Sequence, residues 1–424
     1  VGATTINEEM KLACVRAIAD LAMAESSAEV AGAYGDAELT FGPEYLIPKP
    51  FDPRLIARIA PAVAKAAMDS GVATRPIADL EAYAEKLTEF VYKTSLFMRP
   101  VFNQARKDIK RIVLTEGEDE RILHAAQQVV SQKLAFPILV GDAKLIEERL
   151  HSQGLTIQPG KDFELVDIKN SPYYEASWKE YYNLRKRKGV TEEMARRRLK
   201  ANSTLVGALL VRLGHADGLV CGTMGRFHDH FAVMEEVIGY NNPEKEAFAM
   251  NALISNKGNF FIADTYINEN PTAEQLAKGT LMCAAEMKRF GLKPKVALVS
   301  NTNYGSNRNP DANKMQQALE LIRELDPALE IDGEMQADVA LDEEMRKSIF
   351  PETTLSGAAN LLVMPNVEAA NISYNLLRVN ATNGITVGPI LMGLNKPVQI
   401  VTPISTVRRI VNMIALAAVD AQRQ

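Results

Sequence analysis

Three polar segments of this chain follow apolar runs and could together hold an anionic or polar ligand. Val299 leads into Ser300-Asn301-Thr302-Asn303-Tyr304-Gly305-Ser306-Asn307-Arg308-Asn309-Pro310, a loop of small hydrogen-bonding side chains that ends where a helix starts near Ala312. Backbone N–H groups at a helix start attract negative charge. Glu330-Ile331 leads into Asp332-Gly333-Glu334-Met335-Gln336, and Met364 into Pro365-Asn366-Val367-Glu368-Ala369-Ala370-Asn371. If the apolar runs are neighbouring strands, these ends line one cleft; separate turns are the alternative.

Near the end of the chain stands Val401-Thr402-Pro403-Ile404-Ser405-Thr406-Val407-Arg408-Arg409-Ile410-Val411. Thr402 offers a hydroxyl, whereas Pro403 offers neither a guanidinium nor an N–H. Arg409 cannot accept a proton, because a guanidinium titrates above roughly 12. Arg408 and Arg409 suit a solvated helix start, a subunit contact or the anionic part of a ligand. Arg185 and Arg187 form a second basic pair that could hold phosphates by charge-assisted hydrogen bonds, or belong to a solvated basic helix continued by Arg196-Arg197-Arg198. His228 and His230 flank Asp229, but i, i+2 spacing on a helix separates the imidazoles, so a structural role is expected and no metal site. Cys221 ends an apolar run and reads as core.

The elements that must position these groups are legible from periodicity. Ile112-Val113-Leu114, Pro137 to Val140, Gly218 to Cys221, Phe260 to Ala263, Val296 to Val299, Leu361 to Met364 and Val398 to Val401 read as buried strands between helices. That pattern predicts an α/β fold with mainly parallel sheets, helices on both sides and ligands at the strand carboxyl ends. Before them, residues 7 to 24 read as an amphipathic helix capped by Asn7, and a second helix starts near Leu55 and stops at Ser70-Gly71. Pro61 kinks that helix or restarts it. The prolines of Phe41-Gly42-Pro43-Glu44-Tyr45-Leu46-Ile47-Pro48-Lys49-Pro50-Phe51-Asp52-Pro53-Arg54 predict an extended surface strap. A further helix is expected from Ile77 to Arg106.

Length and charge limit the function classes. The chain has 424 residues, which calls for two or three domains, and a net charge of -5, which argues against nucleic acid as a partner. Three separated cysteines, Cys14, Cys221 and Cys283, suit a reducing cytoplasm, and no apolar run is long enough for a membrane span. The start at Val1-Gly2-Ala3, with neither an initiator Met nor an apolar leader, reads as the interior of a longer protein.

Two resemblances sharpen these expectations. Residues 1 to about 95 resemble the C-terminal end of bacterial malic enzymes in FGPEYLIPKPFDPRL and in AVAKAAMDSGVATRPI at residues 62 to 77. The resemblance implies a parent that oxidatively decarboxylates malate to pyruvate with NADP and Mg2+ or Mn2+. Residues 1 to 95 themselves hold no G-x-G-x-x-G and no tight acidic cluster, so this part is expected to lack that activity. Residues 110 to 424 resemble phosphate acetyltransferase in Glu116 to Arg121, Leu184 to Gly189, Ala216-Asp217-Gly218, Ile262-Ala263-Asp264 with Asn270 to Leu276, Gly305-Ser306 with Pro310, Asp332-Gly333-Glu334, Ala359 to Leu362 and Asn371 to Tyr374.

The second resemblance implies two α/β subdomains around a cleft for CoA and acetyl phosphate. It divides the chain into residues 1–95 and 96–424, the latter into 96–240 plus 385–424 and 241–384. It also implies a catalytic serine, arginine and aspartate where this chain has Thr402, Pro403 and Arg409. Acetyl transfer is therefore expected to be lost, leaving a module that binds acetyl-CoA or a related acyl-CoA as an effector. Arg185, Arg187, Asn301, Ser306, Arg308, Asn309, Pro310, Glu334, Asn371 and Thr402 are its expected contacts. A transferase with a shifted base, Glu334 or Asp264, is the alternative. The expected partners are the malic enzyme domain of the same protein and further copies of the chain.

Overall fold

The computed structural model describes residues 1–23, 46–48, 54–167, 170–255, 258–307, 309–380 and 385–423. The chain divides into two compact units, Val1–Phe97 and Met98–Gln424. The first contains helices Glu8–Met23 and Arg54–Asp69 and most of a third, Leu80–Ala105. Asn7 caps the first helix as expected, its Oδ1 accepting the Met10 amide at 3.0 Å. Pro61 lies inside Arg54–Asp69, which runs on to Gly71 at φ 74°. The expected proline strap falls outside the described residues except for 46–48, which form no regular element.

Among the described residues eleven strands build the second unit: β1 (Arg111–Leu114), β2 (Phe136–Gly141), β3 (Glu164–Asp167), β4 (Gly218–Cys221), β5 (Phe248–Ser255), β6 (Gly258–Ala263), β7 (Lys295–Val299), β8 (Glu330–Met335), β9 (Leu361–Val363), β10 (Ile385–Met392) and β11 (Val398–Ile400). One sheet is parallel throughout, in the order β11-β4-β1-β2-β3. The other has the order β10-β5-β6-β9-β7-β8, with β5 antiparallel to both neighbours and the remaining pairs parallel. All seven apolar runs are strands. β3, β5 and β10 were not legible, for β3 is a short edge strand and Asn251 and Gly388-Pro389 interrupt the apolar pattern of the other two.

Burial on both faces explains the unbroken apolar runs of the first sheet. Val113, Ile138, Val140 and Leu219 share a buried cluster with residues of helices Tyr174–Arg185, Glu192–Ala201, Ser203–Arg212 and Phe227–Val237. Ile112, Leu114 and Leu139, also fully buried, alternate to the other face, where Glu120–Ser131 and Val407–Ala421 pack.

One expected boundary moves. The division that gave 385–424 to the first subdomain misplaces β10, which pairs with β5 at the edge of the second sheet. The chain crosses back only at β11, whose Gln399 spans the seam: its Oε1 accepts the Leu391 amide at 2.9 Å and its Nε2 donates to the Leu391 carbonyl at 3.4 Å. Among the described residues no helix is long and apolar enough to cross a membrane.

Candidate functional site

The polar ends of β6, β7, β8 and β9 come together in space. Lys314, in the helix Pro310–Leu325, donates to Asn270 Oδ1 at 2.7 Å and to the Pro365 carbonyl at 2.8 Å, tying the segments after β6 and β9 to the helix that follows β7. Asn309 caps that helix, accepting the Ala312 amide at 2.8 Å, and its Nδ2 donates to Asn301 Oδ1 at 3.1 Å. Pro310 occupies the first turn, where a missing N–H costs nothing. Ser306 Oγ accepts the Asn303 amide at 3.1 Å, and Asn371 Nδ2 donates to the Thr265 carbonyl at 3.3 Å. Asn301 and Ser306 are exposed, Asn309 and Asn371 half-buried. Arg308 lies outside the described residues.

Glu334 is not placed to touch a ligand. It is fully buried; Oε1 accepts from Thr302 Oγ1 at 2.9 Å and the Gly305 amide at 2.8 Å, and Oε2 from Gln316 Nε2 at 2.9 Å. The carboxylate is the internal post around which loop 300–306 is wound. Glu334→Gln turns one acceptor into a donor facing donors. It should cost about 2 kcal/mol in thermal or urea unfolding and speed hydrogen exchange at Tyr304 and Gly305, whereas parent-like exchange there would contradict the anchoring role. Asp264 plays the same part after β6, accepting the amides of Ala249, Tyr266, Ile267 and Asn268 at 2.9 to 3.2 Å and Asn268 Nδ2 at 2.6 Å. Burial raises its pKa despite these donors.

At the first sheet the ends of β1, β4 and β11 meet. Glu116, after β1, is buried, accepting from Thr115 Oγ1 at 2.8 Å and the Gly222 amide at 3.1 Å; burial pushes its carboxyl up while His230 opposes that shift. Gly222 permits the approach of β11, since a Cβ there would stand 2.5 Å from the Val401 carbonyl oxygen. Thr402 is buried, its amide donating to Ser405 Oγ at 3.1 Å and its hydroxyl 3.2 Å from the same oxygen.

Arg121, which sequence reasoning did not select, fastens this turn. Its guanidinium donates to the carbonyls of Pro403 at 2.5 Å, Ser405 at 3.1 Å and Thr223 at 3.0 Å, and pairs with Asp119 at 2.6 Å. The acid two residues before it was the only local signal. Arg409 reaches Thr386 Oγ1 on β10 and so joins the two subdomains. Arg408 is exposed.

The other candidates separate. Arg185 is engaged by Glu236 at 3.2 Å, so it is an internal ion pair before it is a phosphate ligand, whereas Arg187 is exposed in the turn Lys186–Lys188. His230 is structural as expected: Nδ1 lies 2.8 Å from Thr204 Oγ1 and Nε2 2.6 Å from the Met224 carbonyl. His228 is exposed. Burial pushes the Cys221 thiol well up, which makes it a poor nucleophile. Among the described residues no group of three or more His, Cys, Asp or Glu could hold a metal ion.

The two sets of strand ends present mainly hydrogen-bonding side chains. Tyr266, after β6, stacks on Phe227 of the first subdomain at 4.6 Å between centroids, joining the two sets of strand ends. Three carboxylates at those ends, Glu116, Asp264 and Glu334, are buried and hold protein donors.

Comparison with known proteins agrees with this geometry. The family of phosphate acetyl/butaryl transferases matches residues 96–418. The NADP-dependent malic enzyme of Salmonella typhimurium is 59% identical over 422 residues, which cover 100% of this chain but 56% of that protein. The chain thus spans little more than half the length of such relatives. The phosphate acetyltransferase of Corynebacterium glutamicum is 34% identical over 331 residues, 77% of this chain and 98% of that protein. The crystal structure of a phosphotransacetylase from Streptococcus pyogenes superposes with a TM-score of 0.72 at 28% identity, covering 78% of this chain and 99% of the other.

Proposed function

The chain belongs to the phosphate acetyl/butaryl transferase family, and from that premise we propose that it is the acetyl-CoA-binding regulatory and oligomerisation module of an NADP-dependent malic enzyme, with acetyl transfer lost. The match to malic enzymes along the whole chain supports the parent. The carrying observation is Arg409. A guanidinium occupies the position the family resemblance gives to the thiol-deprotonating aspartate, and it is held by Thr386.

The surroundings of the two candidate shifted bases support this reading. Glu334 and Asp264 are buried and hold three and five protein donors, which favours an anchoring role over proton transfer to a thiol. What the cleft retains is binding capacity: Asn301, Ser306 and Asn309 around a helix start, Asn371 beside them and Arg187 exposed on the other subdomain. NADP, the divalent metal and malate turnover belong in this reading to the rest of the protein, and acetyl-CoA acts on it as an inhibitor from the cytoplasm. Such regulation requires two states that bind acetyl-CoA with different affinity.

Isothermal calorimetry with acetyl-CoA in arsenate buffer tests the reading, because arsenate drains acetyl groups irreversibly if transfer occurs. A saturable heat without sustained turnover is expected. Continuous heat would restore the phosphate acetyltransferase reading, and no heat would leave a structural module.

A further inference from the structure

A chain of side chains joins the two sheets and ends in a pair of acids. On the free edge of β10 the Leu391 amide and carbonyl are both taken by the Gln399 carboxamide from β11, as a neighbouring strand would take them. Gln399 Nε2 also approaches Asp420 Oδ2 at 3.4 Å, on the final helix Val407–Ala421. Asp420 Oδ1 lies 2.5 Å from Arg289, which also bonds Glu286. Glu286 and Arg289 stand on Ala273–Arg289, a helix packed on β5 and β9 of the second sheet. The path from Leu391 through Gln399, Asp420 and Arg289 to Glu286 thus leaves the second subdomain, enters the first and returns.

Charge in this cluster does not balance when both acids are ionised. Glu286 is buried and Asp420 half-buried, and Arg289 Nη1 serves both. Arg289 Nε and Nη2 and Glu286 Oε1 are buried with no hydrogen-bond partner among the described residues. Arg423 also acts on both acids, but it is exposed and therefore screened. Cys283, one turn before Glu286, is neutral, since burial pushes its thiol well up. β5, β9, β10 and β11 bring no titratable side chain. Helix Pro310–Leu325, beside Ala273–Arg289, carries Asp311 paired with Lys314, and Glu320, Arg323 and Glu324, all three exposed. Glu120–Ser131, packed on the final helix, carries Glu120, Arg121 and His124. Two carboxylates sharing one guanidinium leave excess negative charge at the seam, whereas a proton on either makes the cluster neutral. Burial and the charge of Asp420 accordingly hold the Glu286 carboxyl up.

We propose that Glu286, Arg289 and Asp420 form a proton-controlled clasp between the subdomains: with one proton on the acid pair it fastens Gln399 against β10, and loss of that proton to water releases the seam. The clasp does not depend on what the strand ends bind. It makes the joint between the two sheets firm in mildly acidic solution and loose in alkaline solution.

Native-state hydrogen exchange of the 424-residue chain reads the clasp at the Leu391 amide, whose acceptor is Gln399. After correction for the intrinsic rate, exchange there should rise about tenfold from about pH 6 to about pH 8, the scale of one pH unit of linkage. The rise should be independent of dilute urea, because local release exposes little surface. Ala297, buried in the middle of β7, serves as the reporter of global unfolding. Glu286→Gln and Asp420→Asn should each flatten the pH dependence at Leu391, the second deciding the matter if the first folds poorly. A parent without the pH step, variants that keep the parent's step, or a Leu391 rate that climbs with urea in step with Ala297 overturns the clasp.

Discussion

Arg346→Met should destabilise the chain by about 4 kcal/mol. Arg346 is fully buried, yet its hydrogen bonds go to backbone carbonyls: Nη1 donates to Val339 at 3.1 Å and Ala340 at 3.2 Å, and Nη2 to Leu355 at 3.0 Å and Gly357 at 2.5 Å. The first two close the helix Ala337–Leu341, and the others hold the loop that enters β9. Met fills similar space with no donor, so four carbonyl oxygens lose their partner, each at roughly 1 kcal/mol or more. Lys carries a compact ammonium that cannot fork to both sides, and should recover about half. Urea unfolding of both variants beside Arg226→Met, whose exposed ion pair with Asp229 should be worth under about 1 kcal/mol, checks the claim. Equal losses at the two arginines would contradict it.

Glu286→Gln should stabilise the chain above about pH 8 and lose that advantage near pH 5. Burial, then the like charge of Asp420, pushes the Glu286 carboxyl up from 4.5 to about 7, although Arg289 and Arg423 pull the other way. Arg289 serves both acids, bonding Glu286 and lying 2.5 Å from Asp420 Oδ1, while Gln399 Nε2 approaches Asp420 Oδ2 at 3.4 Å. The unfolded chain titrates Glu286 near its ordinary value, so between the two values the folded state binds more protons. Its contribution to stability is complete below the unfolded value and is lost as pH rises through about 7. Gln cannot ionise and removes that slope, a difference of about 2 to 3 kcal/mol at high pH. Unfolding midpoints from pH 5 to 9 should diverge between parent and variant; parallel profiles would exclude the titration.

Sequence reasoning found the strands because their signal is local. A run such as Val296-Ala297-Leu298-Val299 must be covered on both faces wherever it lies, and β7 is. β10 escaped because Pro389 breaks the apolar pattern, and pairing with β5 decided its sheet. Arg121 escaped for another reason: its acceptors at 403 and 405 lie more than 280 residues away along the chain. Arg185 was legible as a cation, but its partner Glu236 was not.

Residue type alone determined that Arg409 cannot take a proton and that Pro403 carries no cation, since these are properties of the side chains in any fold. Tertiary structure decided which acids remain available. Glu334 and Asp264 read alike in sequence as acids at strand ends, and either could have served as a base. Only the convergence of Thr302, Gly305 and Gln316 on one carboxylate, and of four backbone amides on the other, makes them anchors, because hydrogen-bond saturation depends on donors brought together by folding.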